Sequence, residues 1–115
     1  MKARYTLKKN GDFRRLYTRG KSTVTPRVAL YCRKNRLEDS RFGYTVSTKL
    51  GGAVVRNRVR RRLREIVRLN RGALKPGYDV VVVARSRSVD TSYRKLEADF
   101  LAACRKLGLT KEDTP

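Results

Sequence analysis

FGYTVSTKLGGAVVRNRVRRRLRE, residues 42–65, changes its period halfway along. Phe42, Tyr44 and Val46 alternate with other residues, the two-residue repeat of a strand that buries one face; with Arg41 and the polar Ser47 and Thr48 this predicts a strand over 41–48. Gly51-Gly52 then punctuates the chain. Beyond it Val55, Val59, Leu63, Ile66 and Val67 follow the spacing of a helix with one buried stripe, which predicts a helix over 53–70. A strand that runs into a long amphipathic helix calls for an architecture in which helices cover a sheet.

The flanks extend that reading. Downstream, Pro76-Gly77 makes a turn, and YDVVVVA, residues 78–84, is almost continuously apolar, as for a strand buried on both sides apart from its start. A last helix begins near Ser92, runs through Leu96, Phe100, Ala103, Cys104 and Leu107, and stops at Gly108. Upstream, RVALYCR, residues 27–33, alternates, with Val28, Leu30 and Cys32 on one side and Ala29 and Tyr31 on the other. The polar stretch Lys34–Ser40 separates it from the 41–48 strand, so the two are expected to pair as an antiparallel hairpin. Residues 10–19 read as a first helix, with Asn10 as its cap, Phe13, Leu16 and Tyr17 on one face, and Gly20 at its end. The order is helix, short strand or loop, two strands, helix, strand, helix. This predicts an α/β (α+β) two-layer sandwich in a single domain, residues 1–115, with its core over about 5–108 and a frayed tail at 111–115. Which strand lies beside 78–84 is not readable from the pattern.

Charge narrows the function. Thirty Lys and Arg face ten Asp and Glu, a formal +20, while 39% of the residues are hydrophobic, enough for a folded core. Arg outnumbers Lys twenty to ten. Guanidinium groups fork onto phosphates and stack on bases, which favours nucleic acid over diffuse attraction. No stretch approaches the ~20 apolar residues of a spanning helix, and the N-terminus has no apolar core of the signal-peptide kind. Cys32 and Cys104 lie within apolar patterns without metal or redox spacing, as reduced core residues do, which points to a cytoplasmic setting. Without a histidine, the chain lacks the usual near-neutral base and the usual zinc ligand.

Six of the nine residues from Arg56 to Arg64 are arginine, yet the apolar stripe is intact. Arg56, Arg60, Arg64 and Arg68 recur about once per turn, with Asn57 and Arg61 beside them. Like charges so spaced repel in an isolated helix, and a polyanion would neutralise them. The helix start, preceded by Gly51 and Gly52, adds unpaired N–H groups and a positive dipole end, although the glycines fit a simple turn equally well. Lys49 can join the same surface. Phe13 fits either the core or an RNA-facing cleft, and Tyr17 and Tyr31 have polar ends suited to partial exposure and stacking. Phe42, Tyr44 and Phe100 fit the core. Arg85 and Arg87 are either loop charges or an extension of the basic surface. Composition and periodicity thus reach a compact nucleic-acid-binding domain with a slight preference for RNA, and do not identify its substrate.

The same residues resemble a known family. Residues 42–65, centred on Arg56-Asn57-Arg58, are similar to the signature region of the bacterial ribonuclease P protein component, and LKKNGDFRRLYTRG, residues 7–20, resembles that family's N-terminus. The resemblance covers roughly 5–108. It implies a sandwich like domain 2 of ribosomal protein S5, ordered α-β-β-β-α-β-α, with a left-handed β-α-β crossover that the usual handedness rule would not give. It implies a cleft between the first helix and the sheet for the single-stranded 5′ leader of precursor tRNA, mapping onto Phe13, Tyr17 and Tyr31. Tyr17 stands where some members have phenylalanine, and its added hydroxyl bears on leader preference. A surface for the catalytic RNA maps onto Lys49, Arg56, Asn57, Arg58, Arg60, Arg61, Arg62 and Arg64, with Arg68 beyond it. The implied partners are the ribonuclease P catalytic RNA and precursor tRNA, with one protein copy per RNA and no membrane. The implied chemistry is Mg2+-dependent and held by the RNA, with no catalytic or metal-binding protein residue.

Two other classes compete. A nuclease working through protein carboxylates would draw on Glu38, Asp39, Glu65, Asp79, Asp90, Glu97 and Asp99, which form no diagnostic set by spacing. A ribosomal or helix-turn-helix protein would also be small and arginine-rich, but one basic helix without a paired helix is no DNA-reading geometry.

Overall fold

The alternating and doubly apolar segments form one mixed sheet in the computed structural model, which describes residues 5–111. The elements are α1 (Asn10–Arg19), β1 (Lys21–Val24), β2 (Val28–Lys34), β3 (Arg41–Thr45), α2 (Ala53–Asn70), β4 (Tyr78–Ala84) and α3 (Tyr93–Lys106). This is the expected order. The strands lie in the order β1-β2-β4-β3, with β2 antiparallel to β1 and β4, and β3 parallel to β4.

The hairpin expected between β2 and β3 does not form, because β4 lies between them. β4 is the strand with apolar residues on both faces: Val80, Val81, Val82 and Ala84 are all buried. Only an interior position covers both of those faces and also satisfies both of its edges. The 41–48 strand is likewise shorter than expected; it ends at Thr45, and Thr48–Leu50 form a 3-10 turn in which Ser47 Oγ accepts from the Lys49 N–H.

One face of the sheet is sealed. Val28, Leu30, Cys32, Phe42, Val80, Val82 and Ala84 pack against Val59, Leu63, Ile66 and Val67 of α2 and Leu96, Phe100, Ala103 and Cys104 of α3. Val55, read as part of the stripe, is only half-buried near the start of α2. Both cysteines are reduced and buried, and burial pushes the Cys104 thiol up to about 12. α3 begins and ends where expected: Ser92 caps it, its Oγ accepting from the Lys95 N–H at 3.2 Å, and Gly108, at φ 73°, follows its end.

The other face is covered only in part. Leu16 of α1 sits with Leu7 and Val81, and Phe13, Tyr31 and Val83 border them half-buried. Asn10 does not cap α1. It is already helical, Lys9 takes the cap position without a side-chain bond, and Asp12 supplies the negative charge of the first turn. Leu7 donates its N–H to the Phe42 carbonyl at 3.1 Å, so the segment before α1 lies along the outer edge of β3. Of the expected frayed tail, residues 112–115 lie outside the described residues.

Candidate nucleic-acid interface

The open face is organised in cross-strand rows, because residues two apart on a strand share a side. Tyr31, Val81 and Gly43 form one row, and Ala29, Val83 and Thr45 the next. α1 lies above them. Phe13 rests directly on Gly43, where an added Cβ would fall 2.5 Å from Phe13 Cζ. Tyr17 meets Tyr31 edge to face, with ring centroids 4.9 Å apart, and its hydroxyl hydrogen-bonds Thr45 Oγ1 at 2.7 Å. Phe13, Tyr17 and Tyr31 are therefore gathered on one face. Tyr17 is 41% exposed, and Phe13 and Tyr31 are half-buried, leaving ring surface for stacking.

Beside them is a cleft of about 360 Å3 lined by Thr6, Leu7, Phe13, Gly43, Tyr44, Arg60 and Arg64. It joins the aromatic face to the basic helix. Tyr44, expected in the core, forms its wall, packed at the edge of the sealed core. Its hydroxyl is buried without a hydrogen-bond partner among the described residues; burial pushes its pKa up while Arg64 and Arg71 pull it down.

The arginines of α2 separate by flank. Lys49, Arg61 and Arg64 are exposed and have neither ion pair nor side-chain hydrogen bond among the described residues. Arg60 donates to Asn57 Oδ1 at 3.1 Å, and Arg68 is paired with Glu65 on the exposed face. Arg56 Nε donates to the Gly51 carbonyl at 3.1 Å, tying the helix start to its preceding turn. Arg58 and Arg62 lie on the opposite flank from Arg60 and Arg64 and donate to the Val89 and Thr91 carbonyls at 3.4 and 2.9 Å. Part of their donor capacity thus holds the loop before α3. Arg85 and Arg87 are exposed, and Arg85 reaches the Thr25 carbonyl at 2.7 Å.

Gly43 and Thr45 were missed by sequence reading, though both shape the aromatic site. A glycine inside an alternating strand is itself a sign of close approach by another group. No three Asp, Glu, His or Cys residues are grouped to hold a metal ion among the described residues, and no described helix is long and apolar enough to cross a membrane.

A family profile described as Ribonuclease P matches residues 1–108. The ribonuclease P protein component of Alkaliphilus metalliredigens is 40% identical over 109 residues, covering 95% of this chain and 98% of that protein. That of Alkaliphilus oremlandii is 42% identical over 109 residues, covering 95% and 96%. The solved Staphylococcus aureus RNase P protein superimposes with a TM-score of 0.86 at 29% identity, over 93% of this chain and 98% of that one. A profile match over residues 1–108 and identities of 40% and 42% across nearly whole relatives place the chain in the ribonuclease P protein family.

Proposed function

We propose that the chain serves as the protein subunit of ribonuclease P by joining two RNA contacts across one cleft. It binds the catalytic RNA and the 5′ leader of precursor tRNA, and the RNA carries out the endonucleolytic cut that frees the leader. Phe13, Tyr17 and Tyr31 hold the single-stranded leader by stacking, a contact that tolerates any base. Lys49, Arg56, Asn57, Arg58, Arg60, Arg61, Arg62, Arg64 and Arg68 form the side toward the catalytic RNA, with Arg61 and Arg64 the freest to take phosphates.

The observation that carries this reading is the cleft with Phe13 on one wall and Arg60 and Arg64 on the other. It lets leader and catalytic RNA approach each other while arginine screens their repulsion. Cleavage depends on Mg2+. The described acidic residues do not form a cage for it, and in this reading the ions lie on RNA and no protein side chain acts as nucleophile, acid or base. Cleavage leaves a 5′-phosphate on the tRNA and a 3′-hydroxyl on the leader. One protein copy works with each catalytic RNA, in the cytoplasm, as a single domain over residues 1–115.

The test is precursor-tRNA cleavage at low Mg2+ with protein alone, matched ribonuclease P RNA alone, and the pair. Efficient maturation by the pair only is expected. Cleavage by rigorously purified protein alone would move the chemistry to the protein.

A further inference from the structure

The open face has a third cross-strand row. Beyond Tyr31, Val81 and Gly43 come Arg33, Asp79 and Arg41, at the opposite end of the sheet from Thr45. Arg15 and Arg19 of α1, one turn apart, border the same pocket of about 270 Å3, as do Lys34 and Arg36. By helical periodicity Arg15 and Arg19 lie on one flank of α1 about the buried Leu16, and Phe13 and Tyr17 on the other. The basic pocket and the aromatic face are thus separated by α1.

The pocket is held in shape by its one carboxylate. Asp79 accepts from Arg41 Nε and Nη2 at 2.9 and 2.6 Å and from Asn35 Nδ2 at 3.0 Å. Asn35 also caps its own turn, its Oδ1 accepting from the Leu37 N–H at 2.7 Å, and Arg36 is placed there at φ 64°. Among the described residues no ion pair engages Arg19, Arg33, Lys34 or Arg36. Arg41 occupies Asp79 and Arg15 reaches Asp12 at 3.4 Å, so the charge of Arg19, Arg33, Lys34 and Arg36 is left for an outside anion. The lining contains neither an aromatic ring nor an aliphatic side chain. It therefore offers no aromatic platform for a base and no apolar anchor of the kind protein interfaces use.

We infer that this pocket is a second RNA seat, which takes backbone phosphates of a segment other than the leader held on Phe13 and Tyr17. The inference rests on the RNA-binding role of the subunit and adds a contact on the far side of α1. Binding there is independent of base sequence, and the protein clamps two RNA segments with α1 between them.

The test is assembly of the full chain with its matched ribonuclease P RNA over a range of salt, comparing R15Q/R19Q/R33Q with the parent chain. The slope of log affinity against log salt is expected to fall by about two to three. R15K/R19K/R33K should keep the slope. The affinity ratio for precursor over leaderless tRNA should not change. R94Q/K95Q/K106Q on α3 controls for loss of net charge, and R60Q/R61Q/R64Q reports on α2 separately.

An unchanged slope in folded R15Q/R19Q/R33Q, an equal loss in the α3 control, or an equal loss in the lysine variant would overturn the seat. So would a fall in the leader ratio, which would assign the pocket to the leader path. Charge-dependent capture of polyglutamate with an unchanged RNA slope would give the pocket to an acidic protein instead. If the α2 variant alone loses slope, the subunit reading stands and only this inference falls.

Discussion

β2 and β4 show opposite characters on their two sides. Toward α2 and α3 they present Val28, Leu30, Val80 and Val82, all wholly or almost wholly buried. Toward α1 they bury only Val81 and Ala29, leave Tyr31 and Val83 half-buried, and carry Arg33 and Asp79 at the far end of that side. The strands are the same, and alternation alone divides the labour. The sealed side supplies the apolar burial that holds the fold, whereas the open side keeps rings and charges within reach of a ligand. Substitutions should therefore separate stability from binding according to side.

Phe100→Ala on the sealed side removes a fully buried ring and should lower the unfolding free energy by about 3–5 kcal/mol in urea titrations. A loss below about 1 kcal/mol would break the comparison. Tyr17→Ala on the open side should weaken binding of leader-bearing precursor by about 1–3 kcal/mol, with little effect on leaderless tRNA. Equal weakening of both would mean that the ring supports the fold and not the leader.

Gly43→Ala tests the seam between the sides, because the new Cβ would lie 2.5 and 2.8 Å from Phe13 ring atoms and 3.0 Å from Leu7 Cβ. The ring must shift. A stability loss of about 1–3 kcal/mol is expected, together with weaker leader binding. Preserved leader affinity would show that Phe13 need not lie flat on the strand. Tyr17→Phe is the mildest change. It deletes the hydrogen bond to Thr45 but keeps the ring against Tyr31, and should move the urea midpoint by less than the equivalent of about 1 kcal/mol. A larger shift would make the hydroxyl part of the scaffold.

Much of this was legible in the chain itself. The stripe Val59, Leu63, Ile66 and Val67 and the doubly apolar 78–84 strand are local patterns, and the structure follows them. The β2–β3 hairpin was misread because pairing depends on a strand that arrives more than thirty residues after β3, and periodicity carries no information about neighbours. The charge density of α2 was equally plain. That Arg58 and Arg62 spend donors on the Val89 and Thr91 carbonyls was not, since it requires the 85–92 loop to fold back against the helix. The residue pattern left Phe13 between core and cleft and suited Tyr17 and Tyr31 to stacking, the family resemblance joined the three in a leader cleft, and only the tertiary register shows that Gly43 and Thr45 complete their setting.

The central place of β4 has a consequence for synthesis. As the chain is made from its N-terminus, β2 and β3 emerge first, with a gap between them that only residues 78–84 can fill. Until then each exposes a strand edge and an apolar flank, the features that make a nascent chain prone to misassociation. Sheet closure is therefore a late, non-local event. A ribosome that pauses before Tyr78 would hold an open-sheeted intermediate, because the strand that joins β2 to β3 has not yet been made.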